Sequence, residues 1–255
     1  MTRDQWVARH PYLQPVAELQ ALVATNADRI GIPLAVVPDW NGYGDDYRAG
    51  LPVLKSPYAA IDVDALHDAI VQLVRGVGSA SPSTSFVEQC HDVESDITSG
   101  APVRHPGLLR FFAWAILSRH LSPVASAFSQ WRDEERWLRN YCPLCGEPPA
   151  MAHLAGLDPG RLRLLCCGCC GTRWRYRRTA CPFCDDQHEH RLTALNIEGE
   201  DGLRIDYCES CRGYLKTYAG QGDESLLLAD WTSLHLDLLA GERGLKRMAT
   251  SLYTL

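Results

Sequence analysis

The sequence predicts an α+β fold: an N-terminal α-helical domain, then two tandem four-cysteine β modules, then a C-terminal helix. Three observations carry this reading. Apolar residues recur at helical spacing through much of residues 1–140. Four Cys-x-x-Cys pairs then fall between Cys142 and Cys211, in two matched copies. Between the opening and closing pair of each copy lie two short strand-like runs joined by a turn, and a third run follows the closing pair.

The cysteine spacing is the strongest signal. Cys142-Pro143-Leu144-Cys145 opens the first copy and Cys167-Gly168-Cys169-Cys170 closes it. Cys181-Pro182-Phe183-Cys184 and Cys208-Glu209-Ser210-Cys211 do the same for the second. The openings lie 39 residues apart and the closings 41 apart. The first copy has runs at Met151–Leu157, Arg161–Leu165 and Thr172–Arg177, with a turn at Asp158-Pro159-Gly160. The second has runs at Arg191–Ile197, Leu203–Tyr207 and Gly213–Tyr218, with a turn at 199–202. This is the layout of a rubredoxin-like or zinc-ribbon module, written twice. A Cys-x-x-Cys turn lets two thiolates converge on one metal ion, and two such turns complete a tetrahedral shell. Gly146 and Gly171 each follow a second cysteine, where a tight turn suits glycine.

The expected ligands are Cys142, Cys145, Cys167 and Cys170 for one ion, and Cys181, Cys184, Cys208 and Cys211 for the other. Cys166 and Cys169 offer an overlapping alternative to Cys167 and Cys170. The latter pair is preferred because Gly171 then follows it as Gly146 follows Cys145. The matched repeat favours sequential pairing of knuckles over a cross-brace. Four thiolates suit either Zn or Fe. Disulfides would need an oxidising compartment, and a thioredoxin-type pair would open a helix in a strand–helix–strand unit.

The chain has 255 residues and a formal net charge of −6, which thiolate ligation would make more negative. That charge disfavours nucleic acid as a general partner. The start, Met1 to Trp6, lacks a basic segment leading into an apolar run, which predicts no signal peptide. The longest apolar run, near Leu108–Leu117, is broken by Arg110 and falls short of the ~20 residues of a membrane helix. These features predict a cytoplasmic protein without membrane insertion. Self-association is left open.

The expected domains are 1–140 (helical), 141–179 and 180–222 (metal ribbons) and 223–255 (C-terminal helical segment). Residues 1–26 read as helix, punctuated at His10-Pro11. Residues 27–60 read as an irregular loop wrapping the helical core, broken by Pro33, Pro38, Gly42, Gly44, Gly50, Pro52 and Pro57. Asp62–Val77 and Ser85–Ser99 read as helices, the second with Cys90 as a buried small hydrophobe. Pro106–Leu121 reads as the central helix of the bundle. Ser122-Pro123 reads as the start of a helix running to about Asn140. Asp230-Trp231 opens the C-terminal helix.

An arginine-rich stretch joins the two ribbons. Arg173, Arg175 and Arg177 alternate with Trp174 and Tyr176, and Arg178 follows. Alternation is what a strand with one apolar face produces. Arg173, Trp174, Arg175, Arg177 and Arg178 are also the candidate docking surface for an acidic partner segment or nucleic acid. No nucleophile elbow, phosphate loop or His-Glu-x-x-His is present, and no knuckle leaves an open metal position, so no catalytic residue is expected.

At these motifs the sequence resembles the FdhE family of formate dehydrogenase accessory proteins. The matching segments are Cys142-Pro-Leu-Cys145-Gly146, Cys170-Gly171-Thr172-Arg173-Trp174, Cys181-Pro-Phe-Cys184 and Cys208-Glu-Ser-Cys211 through Lys216. Arg9–Leu13 and Asp237–Gly244 also look like family segments. The resemblance covers most of the chain, most specifically over 142–217. The doubled cysteines at 166–170 depart from the family's single pair. The resemblance implies a non-enzymatic, cytoplasmic maturation factor. Its partner would be the catalytic subunit of a respiratory formate dehydrogenase, assembled or activated before export. Its two metals would be structural zinc or rubredoxin-like iron. A zinc-ribbon nucleic-acid binder and a rubredoxin-like electron carrier are the alternatives.

Overall fold

The computed structural model describes all residues except 60, 158, 159, 189, 190, 201, 221, 254 and 255. Asp158 and Pro159 of the first expected turn and Asp201 of the second therefore lie outside the described residues. Helix α1 (Arg3–Arg9) starts at a Thr2–Gln5 capping box. A 3₁₀ turn at Pro11–Leu13 leads into α2 (Gln14–Arg29). Helix α4 (Val63–Ala80), capped by Asp62, pairs with α5 (Thr84–Ser99), capped by Ser83. Helix α6 (Pro106–His120) lies against α4 and α2. Val23, Leu73, Val74, Val77, Cys90, Phe112 and Ile116 form the core of this bundle. Cys90 is buried there, a small hydrophobe as expected.

Two expectations fail between the bundle and the first ribbon. The stretch 27–60 contains a helix, α3 (Trp40–Ala49), capped by Asp39 and closed by Gly50 in a left-handed conformation. Its glycines conceal a helical pair: Tyr43 and Tyr47 are buried against Phe128, Trp131 and Trp137. Tertiary packing outweighs the weak propensity of Gly42 and Gly44. Helix α7 (Ser122–Trp131) stops well before Asn140. Beyond it the backbone is claimed by side chains: Tyr47 Oη donates to Asp133 O, 2.7 Å, and Trp174 Nε1 to Arg139 O, 2.9 Å.

The C-terminal half forms one seven-stranded sheet. Strands β1 (Pro149–Ala155), β2 (Leu162–Cys167) and β3 (Arg173–Tyr176) form an antiparallel meander. Strands β4 (Leu192–Asn196), β5 (Leu203–Cys208) and β6 (Gly213–Tyr218) repeat it. The spatial order β3-β2-β1-β6-β5-β4 sets the two meanders side by side, joined by a parallel pairing of Met151–His153 with Lys216–Tyr218. A short β7 (Lys246–Arg247) pairs with β6. Helix α8 (Glu224–Leu227), a 3₁₀ turn at Asp230–Ser233 and α9 (Leu234–Glu242) pack on the sheet with α1.

Candidate metal centres

The four knuckles are built alike. In each, the residue after the second cysteine has a positive φ: Gly146 (86°), Gly171 (71°), Asp185 (55°) and Arg212 (60°). That conformation closes the turn. Gly146 N donates to Cys142 O, Asp185 N to Cys181 O and Arg212 N to Cys208 O, all at 2.9 Å. The same turns aim backbone N–H groups at sulfur: Phe183 N lies 3.4 Å from Cys181 Sγ and Gly213 N 3.3 Å from Cys211 Sγ. Thr172 Oγ1 lies 3.2 Å from Cys170 Sγ, placed to donate to a thiolate.

These turns bring together two groups of four sulfurs, Cys142/Cys145/Cys167/Cys170 and Cys181/Cys184/Cys208/Cys211, each with its atoms within 4.8 Å of one another. Pairing is sequential. In the first group Cys142–Cys170 is 3.5 Å and Cys145–Cys167 is 3.4 Å. In the second, Cys181–Cys211 is 3.7 Å and Cys184–Cys208 is 3.8 Å. A tetrahedron of ~2.3 Å metal–sulfur bonds has edges of about 3.8 Å, so the donor sets fit a four-coordinate ion.

Electrostatics points the same way. Burial pushes the Cys142 thiol well up, and hydrogen bonds from Cys142 and its other neighbours hold Cys145 far below the ordinary thiol range. Cys167 is raised by the same neighbours. A divalent cation bound among these sulfurs would take the place of thiol protons. In the second group burial raises Cys181 and Cys211. Burial also opposes ionisation of Cys208, but the backbone N–H groups of Cys211 and Ser210 and the Cys184 thiol bring it down. The first group sits in the aromatic core between α7 and the sheet. The second reaches the surface, with Cys184 exposed.

The overlapping cysteines separate by strand alternation. Cys167 and Cys170 face Cys142 and Cys145. Cys166 points to the opposite side of β2, among Met151, Trp6 and Leu227, and burial raises its thiol to about 12. Cys169 lies beside Cys145, whose hydrogen bond raises it strongly, outside the four-sulfur group.

No protein-family model matches the chain. Curated relatives do. A protein named "Protein FdhE homolog" from Aquifex aeolicus is 32% identical over 142 residues, 54% of this chain and 49% of the relative. Another of that name from Pseudomonas aeruginosa is 34% identical over 122 residues, 45% and 39% of the two chains. A "Protein FdhE" from Salmonella choleraesuis is 30% identical over 139 residues, 53% and 45%. Over about half of its length the chain is similar in sequence to proteins named FdhE. The chain spans about half the length of the curated relatives it matches. The crystal structure of the FdhE protein from Pseudomonas aeruginosa superposes with a TM-score of 0.63 and 23% identity, over 97% of this chain and 91% of that one. That likeness concerns the α+β fold alone.

Strand β3 places the expected partner-binding residues on two faces. Trp174 and Tyr176 are buried, so Trp174 is not available at the surface. Arg173 pairs with Glu224 at 2.7 Å and Arg175 with Glu135 at 2.6 Å. Arg177 and Arg178 are exposed. One group escaped the sequence reading. Lys216 is 1% exposed on β6, 2.6 Å from Asp230 and 2.8 Å from Asp237. Arg247 pairs with the same two carboxylates, at 2.8 Å each. The available signal was a lysine inside the run Gly213–Tyr218, which is buried along its whole length.

Proposed function

We propose that this protein is an accessory factor that binds the catalytic subunit of a respiratory formate dehydrogenase. It would assist that subunit's assembly or activation in the cytoplasm, before export, and would not itself be an enzyme. The observation that carries this reading is the pair of complete four-sulfur groups built into a single sheet, in a chain similar to proteins named FdhE. Full sulfur shells leave no ligand position for substrate, which favours a scaffold over a catalytic centre. The metals, zinc or iron, would be held by Cys142, Cys145, Cys167 and Cys170 and by Cys181, Cys184, Cys208 and Cys211. Bound there, they would supply folding free energy, ~10 kcal/mol or more per structural site.

The reading for the client surface is the cleft between Glu135–Leu138 and strands β2 and β3. It has a volume of about 370 Å³ and is lined by Leu138, Leu162, Arg175, Arg177 and Arg178. Exposed leucines flanked by arginines suit an acidic, partly apolar client segment. Capture of a tagged catalytic subunit by the full chain tests the function. Double replacement of Arg177 and Arg178 by Glu should abolish capture while metal content stays at the wild-type level. Capture at wild-type strength would remove this surface from the model of binding. No capture by the wild type would remove the function.

A further inference from the structure

One set of metal-capable side chains lies apart from the cysteines. His10 ends α1, Glu200 lies in the β4–β5 connection, and His235 is in the first turn of α9. One donor atom from each lies within 4.8 Å of the others. His10 Nε2 is 2.7 Å from Glu200 Oε1, and His235 Nε2 is 2.9 Å from the same oxygen. The imidazoles stack with centroids 5.3 Å apart. The side chains of His10, Glu200 and His235 are only 8%, 9% and 15% exposed.

The hydrogen bonds do not close around this group. His10 Nδ1 lies 3.1 Å from the carbonyl oxygen of Trp6, which can only accept. Nδ1 therefore carries a hydrogen, and in the neutral tautomer this leaves the Nε2 lone pair facing Glu200. A lone pair 2.7 Å from a carboxylate oxygen requires a cation between them, a proton or a metal ion. Glu200 Oε2 and both ring nitrogens of His235 are buried without hydrogen-bond partners among the described residues. The close approach of His235 Nε2 to Glu200 thus lacks hydrogen-bond geometry. Buried polar atoms orphaned in this way are costly and rare.

We propose that His10, Glu200 and His235 form a third cation site, for a first-row divalent transition metal such as Zn²⁺. Two imidazoles and a carboxylate select borderline cations with nitrogen and oxygen donors, unlike the sulfur shells. The site would tie the N-terminal helix to the second ribbon and to α9. Trp6 Nε1, which donates to Thr232 O at 3.1 Å, already docks α1 there without metal. Tyr12 covers the outer side, its ring 5.8 Å from each imidazole.

The test is a titration with Co²⁺ alone of the full chain, purified without oxygen and with both cysteine sites filled with zinc. The expected result is one further equivalent of Co²⁺, with visible d–d absorption and no sulfur-to-cobalt charge-transfer bands. Glu200→Gln and His235→Gln should each lose that equivalent while keeping both zinc ions. The retained zinc certifies that the variants are folded. Absence of a further equivalent in the wild type, uptake accompanied only by charge-transfer bands, or wild-type binding by either variant overturns the proposal.

Discussion

Each knuckle turns on one residue in the left-handed region, and the two ribbons fill that position differently. The first uses Gly146 and Gly171, the second Asp185 and Arg212. The non-glycine residues have compensating bonds: Asp185 Oδ1 accepts from Tyr176 Oη at 2.9 Å, and Arg212 donates to Arg243 O at 2.6 Å. A Cβ at Gly171 would meet nothing within 4 Å, so Gly171→Ala isolates backbone strain. Its expected cost is ~1–2 kcal/mol, read by denaturant unfolding of the metal-loaded chain. A neutral result would mean the turn does not hold that φ. The buried charges on β6 give a pH-dependent counterpart. Burial would raise the Asp230 carboxyl, but Lys216 and Arg247 outweigh it and hold the group below the ordinary carboxylate range. A carboxyl depressed in the folded state stabilises above its unfolded pKa, about 3.9, and loses that contribution as pH falls through the folded value. Asp230→Asn should cost about 3–5 kcal/mol at neutral pH, as for breaking a buried pair. The offset between melting curves of the variant and wild type should begin to shrink below about pH 4 and vanish only below the depressed folded value. A constant offset at all pH values would remove the ionised pair as the cause.

At the scale of elements, legibility followed the range of the forces. The cysteine pairs, the strand runs and the capped helices α4 and α5 rest on local spacing and local hydrogen bonds, and the sequence displays both. Helix α3 was hidden because its stabilisation is distant: Tyr47 is 5% exposed and stacks on Trp137 at 5.2 Å, 90 positions along the chain. The early end of α7 has the same origin, since residues beyond Trp131 bond to α3 and β3 instead of continuing the helix. Two substitutions separate local capping from distant packing. Asp39→Ala removes the local cap, which accepts from Asn41 N at 3.0 Å, and should cost ~1 kcal/mol. Tyr47→Ala removes the packing and should cost about 3–5 kcal/mol, as other buried aromatic deletions do. Equal costs in chemical denaturation would return α3 to local control.

For the whole molecule, the two ribbons are equal in design and unequal in surroundings. The parallel junction between β1 and β6 was not legible, because it joins strands more than 60 residues apart through backbone bonds that no side-chain pattern reports. Through it the ribbons share one sheet, yet only the first contributes its cysteines to the aromatic core with Tyr43, Phe128 and Trp137. Its knuckle is also fastened to the segment after α3, where Val53 N donates to Pro143 O at 3.0 Å and Leu54 N to Leu144 O at 2.9 Å. The second ribbon ends in β4, an edge strand without a fully buried residue, and its Cys184 faces solvent. Metal release should therefore occur in two phases under a chelator. The fast phase belongs to the second site and frays β4 and β5, visible as amide exchange confined to residues 192–208. The slow phase belongs to the first site and loosens α3 and the whole sheet together. Cys184→Ala should delete the fast phase and leave the slow one at its wild-type rate. Release in a single phase, or global exchange on loss of the first equivalent of metal, would mean that the junction makes the two ribbons one cooperative unit.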